Sequence, residues 1–255
     1  MTGALDIVCN LFDPKAVRLR QTSLDDTFEA QVRLDKRYWR GIPVSQYLRK
    51  MDSAGIERSL LIGVRAGDLK LRGLADLTAA VRELEFVGAH LYPHWFDLAP
   101  DHAKYCPYYA KCAELDVSIM MQVGQNLVYS RDRRLANVAR PILLDRVAID
   151  FPELTLIGIH IGVPWTDEMI SMCRKHPNVY TAGDGYAPKH WPAAFVHYAN
   201  TYGRDKVLFG TDWPVINPEC AVREVGELGL RPESERMLMR ENALRIFRFP
   251  GRRKR

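Results

Sequence analysis

Short apolar runs rich in Leu, Ile, Val and Met recur along the chain, separated by longer stretches whose apolar positions fall at helical spacing. Seven runs stand out, at 5–11, 59–64, 86–92, 118–123, 154–161, 178–182 and 206–210. Several are continuous rather than alternating, the pattern of strands covered on both faces. Strands alternating with helices predict βα units and a parallel sheet.

The intervening segments carry helix punctuation. Pro43 opens one and Gly55 closes it, the order expected of proline at a first turn and glycine past the end. Thr166 is placed to cap the next, with Asp167 and Glu168 in its first turn and Lys175 and His176 in its last, an arrangement that complements the helix dipole. Pro192 and Pro218 mark two further starts. The segment 231–247 predicts a terminal helix whose buried face draws on Leu238, Met239, Ala243, Leu244, Ile246 and Phe247.

This order predicts an α/β fold of the TIM-like (β/α) barrel type, a single domain over 1–250 followed by a basic tail at 251–255. A closed barrel has eight strands and seven are countable. The shortfall falls between Val64 and Phe86, where about twenty residues intervene against about thirty between later strands. Either a strand lies in RAGDLKLRG (65–73) or the barrel is one βα unit short of eight.

The chain has 255 residues, 47% hydrophobic and 26% charged, which excludes a disulfide miniprotein and a disordered chain. Of the net charge of +5, the run Arg252, Arg253, Lys254, Arg255 supplies most, so the body is nearly neutral and nucleic-acid binding is not expected. Five scattered cysteines (Cys9, Cys106, Cys112, Cys173, Cys220) form no C-x-x-C pattern, which points to a reduced, cytoplasmic setting. No basic segment precedes the short N-terminal apolar run and no stretch of about 18 apolar residues occurs, so neither a signal peptide nor a membrane span is expected.

In a barrel of this kind the chemistry lies at the carboxyl ends of the strands. The polar residues there are Asn10, Gln122 and Gln125, His160, and Asp212. A histidine and an aspartate converging at the mouth exchange protons or share a metal. Asp212 is the stronger candidate, because a carboxylate directly after an apolar strand is costly without a partner. Asp184 also follows a strand, but Gly183 and Gly185 flank it, so a tight turn is its favoured reading over entry into the site. Aromatic residues after strand ends, among them Tyr92, Trp95, Trp165, Tyr186, Trp191 and Trp213, suit a pocket for a planar acid, with rim packing as the plainer reading for most. His94, His102, His176, His190 and His197 fall in loops or helices and are assigned no role. The run Arg131–Arg134 reads as a solvated helix start sooner than as an anion site.

The segments LFGTDWP, ENALRIF, HIGVPW, FPELTLIGIH and GAHLYPH, spread over 5–247, together resemble the amidohydrolase-related branch of the amidohydrolase superfamily, which contains aminocarboxymuconate-semialdehyde decarboxylase and benzoate-type decarboxylases. The resemblance implies a metal-dependent barrel that performs hydrolysis or non-oxidative decarboxylation on a small-molecule substrate, with homodimers common. It carries the last-strand ligand or base onto Asp212 and the histidine of HIGVPW onto His160. The family opens with D-x-H-x-H on its first strand. Here that stretch reads Asp6, Ile7, Val8, Cys9, Asn10, and Gln122 stands where a further histidine is expected. His160 and Asp212 are therefore the two ligands left for a divalent metal such as zinc, unless Cys9 adds a thiolate, and no cofactor is assured. The first expectation is a hydrolase acting on a small carbonyl or carboxylate compound, with Asp212 as base, His160 and His90 as polarising groups, and Gln122, Asn10, Trp165, Trp213 and Asp184 lining the substrate site. The alternatives are a carboxy-lyase of the same family and a catalytically inactive binding member.

Overall fold

A computed structural model describes residues 3–10, 41–62, 71–127 and 135–249, together with 14 and 69. Seven strands occur among them: β1 (Ala4–Asn10), β2 (Ile56–Ile62), β3 (Gly88–Leu91), β4 (Ser118–Gln122), β5 (Leu156–Ile159), β6 (Val179–Gly183) and β7 (Val207–Phe209). Each matches one predicted run, and every ladder is parallel. Strands β3 to β7 pair in chain order, and β1 pairs with β2.

The two sheets meet beyond the end of β7. Cys9 forms a parallel bridge with Trp213, Asn10 N donates to Trp213 O at 2.8 Å, and Asp212 N donates to Val8 O at 2.8 Å. The spatial order is therefore β2-β1-β7-β6-β5-β4-β3, a TIM-like α/β barrel wall. Strands β2 and β3 stand at its two ends, with no ladder between them among the described residues. The sequence shortfall falls between these same strands. Of 65–73, residues 71–73 begin a helix, while 65–68 and 70 lie outside the described residues, as do Arg131–Arg134 and the 251–255 tail.

The strand pleat sorts side chains between two cores. Val8, Met120, Ile157, Ile159, Ala182 and Leu208 pack together inside the wall. Ile119, Met121, Leu156, Val179, Val207 and Phe209 point outward against the helix layer, where they meet Tyr109, Leu144, Met169, Phe195 and Leu238. At about 25 cal/mol per Å² of apolar surface buried, such double coverage is what makes continuous apolar strands favourable.

The helices are α1 (Val44–Ala54), α2 (Leu71–Glu83), α3 (Cys106–Glu114), α4 (Leu144–Asp150), α5 (Thr166–Lys175), α6 (Ala193–Asn200), α7 (Pro218–Gly226), α8 (Pro232–Arg236) and α9 (Asn242–Ile246). A π-helical turn, Met237–Glu241, joins the last two. Gly55 ends α1 with φ 70°, the left-handed closure its position predicts. Thr166 is the first residue of α5 rather than its cap; Trp165 takes the cap position without a side-chain bond. Leu244, expected on the buried face, is 44% exposed, because the helix turns Asn242, Ala243 and Phe247 inward instead. No described helix is long and apolar enough to cross a membrane.

Candidate metal centre

Three strand ends converge on one cluster. His160 follows β5, Asp184 follows β6, and Asp212 lies beyond β7. His160 Nε2 is 3.3 Å from Asp184 Oδ2 and 3.5 Å from Asp212 Oδ2. One ligand atom from each lies within 4.8 Å of the others. The backbone is bent to present them: His160 has φ 68°, Ile161 61° and Asp212 52°, left-handed conformations that cost non-glycine residues on the order of 1 kcal/mol each.

Hydrogen bonds fix those bends. Asp184 Oδ1 accepts from His160 N at 2.8 Å, and Asn10 Nδ2 donates to Asp212 Oδ1 at 2.7 Å. Asp6, at the start of the degenerate first-strand motif, is buried and accepts from Val8 N, Thr211 N and Thr211 Oγ1. Gly185, with φ 71°, lies so close to the His160 ring that a Cβ there would sit 2.9 Å from its Cδ2.

Burial works against charge throughout this cluster. Desolvation lifts the Asp212 carboxyl to about 7 against the bond from Asn10, and raises Asp184 well above the carboxylate range, with Asp212 adding repulsion. It pushes His160 well below the imidazole range, aided by His90 and His94, so that its ring is neutral near pH 7. Asp184 Oδ2 is buried and, although His160 Nε2 is near, lacks any aligned hydrogen bond. A neutral imidazole, two carboxylates and an orphaned oxygen facing inward are the donor set a divalent cation takes. Their 3.3 and 3.5 Å spacings are near the roughly 3.4 Å edge of a tetrahedron with bonds of about 2.1 Å. The residues present therefore fit a bound metal, with His160, Asp184 and Asp212 each offering one ligand atom.

The other predicted residues divide. Asn10 joins the cluster through Asp212. Gln122 is buried at the inner end of β4, its Oε1 without a partner. His90 pairs in register with Met120 of the interior core, and burial lowers it to about 4. Trp165 is half-buried, with the Arg140 guanidinium 5.4 Å from its ring. Trp213 does not line the site: it is 2% exposed and stacks on Tyr47 at 5.7 Å, in a separate cluster with Cys9 and Ile42. Cys9 is excluded as a ligand for the same reason. The pleat turns it away from Val8 and Asn10, and burial raises its thiol.

Asp184 is no simple turn residue; it is fully buried within the cluster. His94, given no role in the sequence reading, is also fully buried. Its Nε2 lies 3.2 Å from Gly124 O, so that nitrogen carries the hydrogen and the unpartnered Nδ1 is a bare acceptor. No local signal marks it, because it sits in a short 3-10 turn, Pro93–Phe96, after β3.

Fold and cluster together define a (β/α) barrel with a carboxylate–imidazole centre at the carboxyl ends of its strands. The amidohydrolase profile matches residues 58–249, and the chain belongs to that family. No curated protein matches it in sequence. Among solved structures it is similar to an uncharacterized TIM-barrel protein, Bb4693, from Bordetella bronchiseptica (21% identity, 95% of this chain and 98% of that one, TM-score 0.67). A dihydroxybenzoic acid decarboxylase from Polaromonas sp. JS666, with bound manganese and the inhibitor 2-nitroresorcinol, is 19% identical over 96% and 97% of the two chains, with TM-score 0.67. A 5-carboxyvanillate decarboxylase from Novosphingobium aromaticivorans, complexed with manganese and 4-hydroxy-3-methoxy-5-nitrobenzoic acid, is 15% identical over 97% and 96%, with TM-score 0.68.

Proposed function

We infer that this chain is a divalent-metal-dependent carboxy-lyase that removes CO₂ from a small planar carboxylic acid. The observation that carries the reading is the His160–Asp184–Asp212 cluster with its orphaned Asp184 oxygen. The decarboxylases among its structural neighbours favour loss of CO₂ over the hydrolysis expected first from the sequence.

His160 Nε2, Asp184 Oδ2 and Asp212 Oδ2 would hold the cation, which supplies a positive charge for the substrate's oxygens and for the electron pair left on carbon. Asp212 is the proton carrier of the trio. Its side chain is 15% exposed where that of Asp184 is wholly buried, so it exchanges with solvent. As the bond to the carboxylate carbon breaks, its electron pair stays on the ring carbon and takes the proton from Asp212, leaving CO₂, a new C–H bond and an aspartate that solvent reprotonates. Asn10 holds Asp212 in place by binding the other oxygen.

The test is to load the protein with Mn²⁺ and follow CO₂ release and arene formation from a panel of ortho-hydroxybenzoates. Release that disappears in Asp212→Asn and on chelation supports the reading. Turnover of lactones or amides without CO₂ would return the site to hydrolysis, and binding without turnover of either class would make it a binding protein.

A further inference from the structure

The loop carrying Asp184 continues across the mouth of the barrel. Gly185 lies against the His160 ring, and the next residue, Tyr186, is half-buried with its hydroxyl 3.1 Å from Gln125 Nε2. Gln125 is itself tied to the loop after β5, its N–H donating to Val163 O at 2.6 Å. The Tyr186 carbonyl accepts from Trp191 Nε1 at 3.0 Å. The loops after β4, β5 and β6 are thus linked around His160, with a phenol at their junction.

Donor arithmetic says what that phenol offers. The Gln125 amide nitrogen has hydrogens only to give, so the Tyr186 oxygen accepts in this bond and its own hydrogen remains available. The neighbouring acceptors offer an incoming anion nothing: Gln122 Oε1, Asp184 Oδ2 and His94 Nδ1 are bare oxygens and a bare nitrogen. The phenol therefore brings an available O–H to the loop two residues beyond Asp184, where the buried unpartnered atoms are acceptors. We propose that Tyr186, held by Gln125, is a specificity-determining residue whose hydroxyl donates to an anionic oxygen of the substrate. This deepens the carboxy-lyase reading, on which the choice of probe rests.

The experiment measures equilibrium binding by calorimetry to the Mn²⁺-loaded protein, with 2,6-dihydroxybenzoate as the anionic probe and resorcinol as its counterpart without the carboxylate. Tyr186→Phe removes one hydroxyl and nothing else. It is expected to weaken 2,6-dihydroxybenzoate by roughly 10- to 100-fold, the range for a hydrogen bond to a charged group, and to leave resorcinol within about 3-fold. Gln125→Leu keeps the phenol and breaks the link, and is expected to weaken the anion by less than about 5-fold, the range for a part-buried neutral bond. Unchanged binding of the anion in Tyr186→Phe, equal losses in the two variants, equal losses of both probes, or no binding of the anion to the wild type would each overturn the proposal. The expected pattern without any CO₂ release would leave the arm standing and remove the carboxy-lyase reading.

Discussion

Asp6 and Thr211 lie 205 residues apart in the chain yet are joined twice: Thr211 N donates to Asp6 Oδ1 at 2.9 Å and Thr211 Oγ1 to Asp6 Oδ2 at 2.6 Å. Thr211 Oγ1 also accepts from Trp213 N at 3.0 Å. The residue enclosed by these bonds is Asp212, in its left-handed conformation. The first strand carries no histidine, but its aspartate clamps the last-strand carboxylate in place.

Breaking that clamp has a defined consequence. Thr211→Val keeps the shape, removes the hydroxyl and strands Asp6 Oδ2 in a buried setting, so the protein should lose about 1–3 kcal/mol of stability in a denaturant titration. Because Asp212 is freed to leave its strained conformation, Mn²⁺ affinity should fall as well. Unchanged affinity in a destabilised variant would make the clamp purely structural.

Asp212 also ties stability to pH. Its folded carboxyl is raised to about 7 from an ordinary value near 4. A raised acid binds more protons folded than unfolded, so the stability it contributes is present below about pH 4 and is lost as pH climbs through 7. Asp212→Asn removes this dependence. In metal-free protein, the melting temperature of the variant relative to wild type should therefore rise between pH 5 and pH 8, each kcal/mol appearing as about 2–4 °C. A gap that stays level with pH would place Asp212 in the ordinary carboxylate range.

Gln122 offers an opposite trade between stability and function. Its Oε1 is buried without a partner, and an unsatisfied buried acceptor costs about 1–3 kcal/mol. Gln122→Leu should leave the melting temperature unchanged or raise it, while weakening binding of a substrate that brings a hydroxyl donor to Oε1. A marked loss of stability would mean that the amide is satisfied within the fold and belongs to its packing.

Gly185→Ala tests how closely the Asp184 loop positions His160. An alanine there meets the His160 ring at 2.9 Å and must adopt φ near 71°. The strain costs about 1–2 kcal/mol. The larger effect should be on activity, at least about tenfold, because a displaced imidazole cannot share a cation with Asp184. Activity at the wild-type level would show that the loop has room to yield.

Much of this architecture is legible in the sequence because burial on both faces writes continuous apolar strands. Seven runs correspond to seven strands, and His160 and Asp212 are visible as polar residues ending two of them. Asp184 was obscured by Gly183 and Gly185, which read as a turn; the glycines instead serve close packing, Gly183 beneath Trp191 and Gly185 against His160. His94 left no trace because its role depends on a contact with Gly124, 30 residues away. Trp213 misled for the converse reason. It follows Asp212 directly, but the left-handed turn at Asp212 carries it to the opposite side, where it bridges Cys9 and stacks on Tyr47.

Whether Asp184 shares a metal ion with His160 and Asp212 is read out by Mn²⁺ binding, measured by calorimetry on chelator-treated wild type, Asp184→Asn and Asp212→Asn. One ion per chain is expected in the wild type and at least about tenfold weaker binding in each variant, with both folded by circular dichroism. Wild-type affinity in Asp184→Asn, or no ion bound by the wild type, would contradict a shared ion.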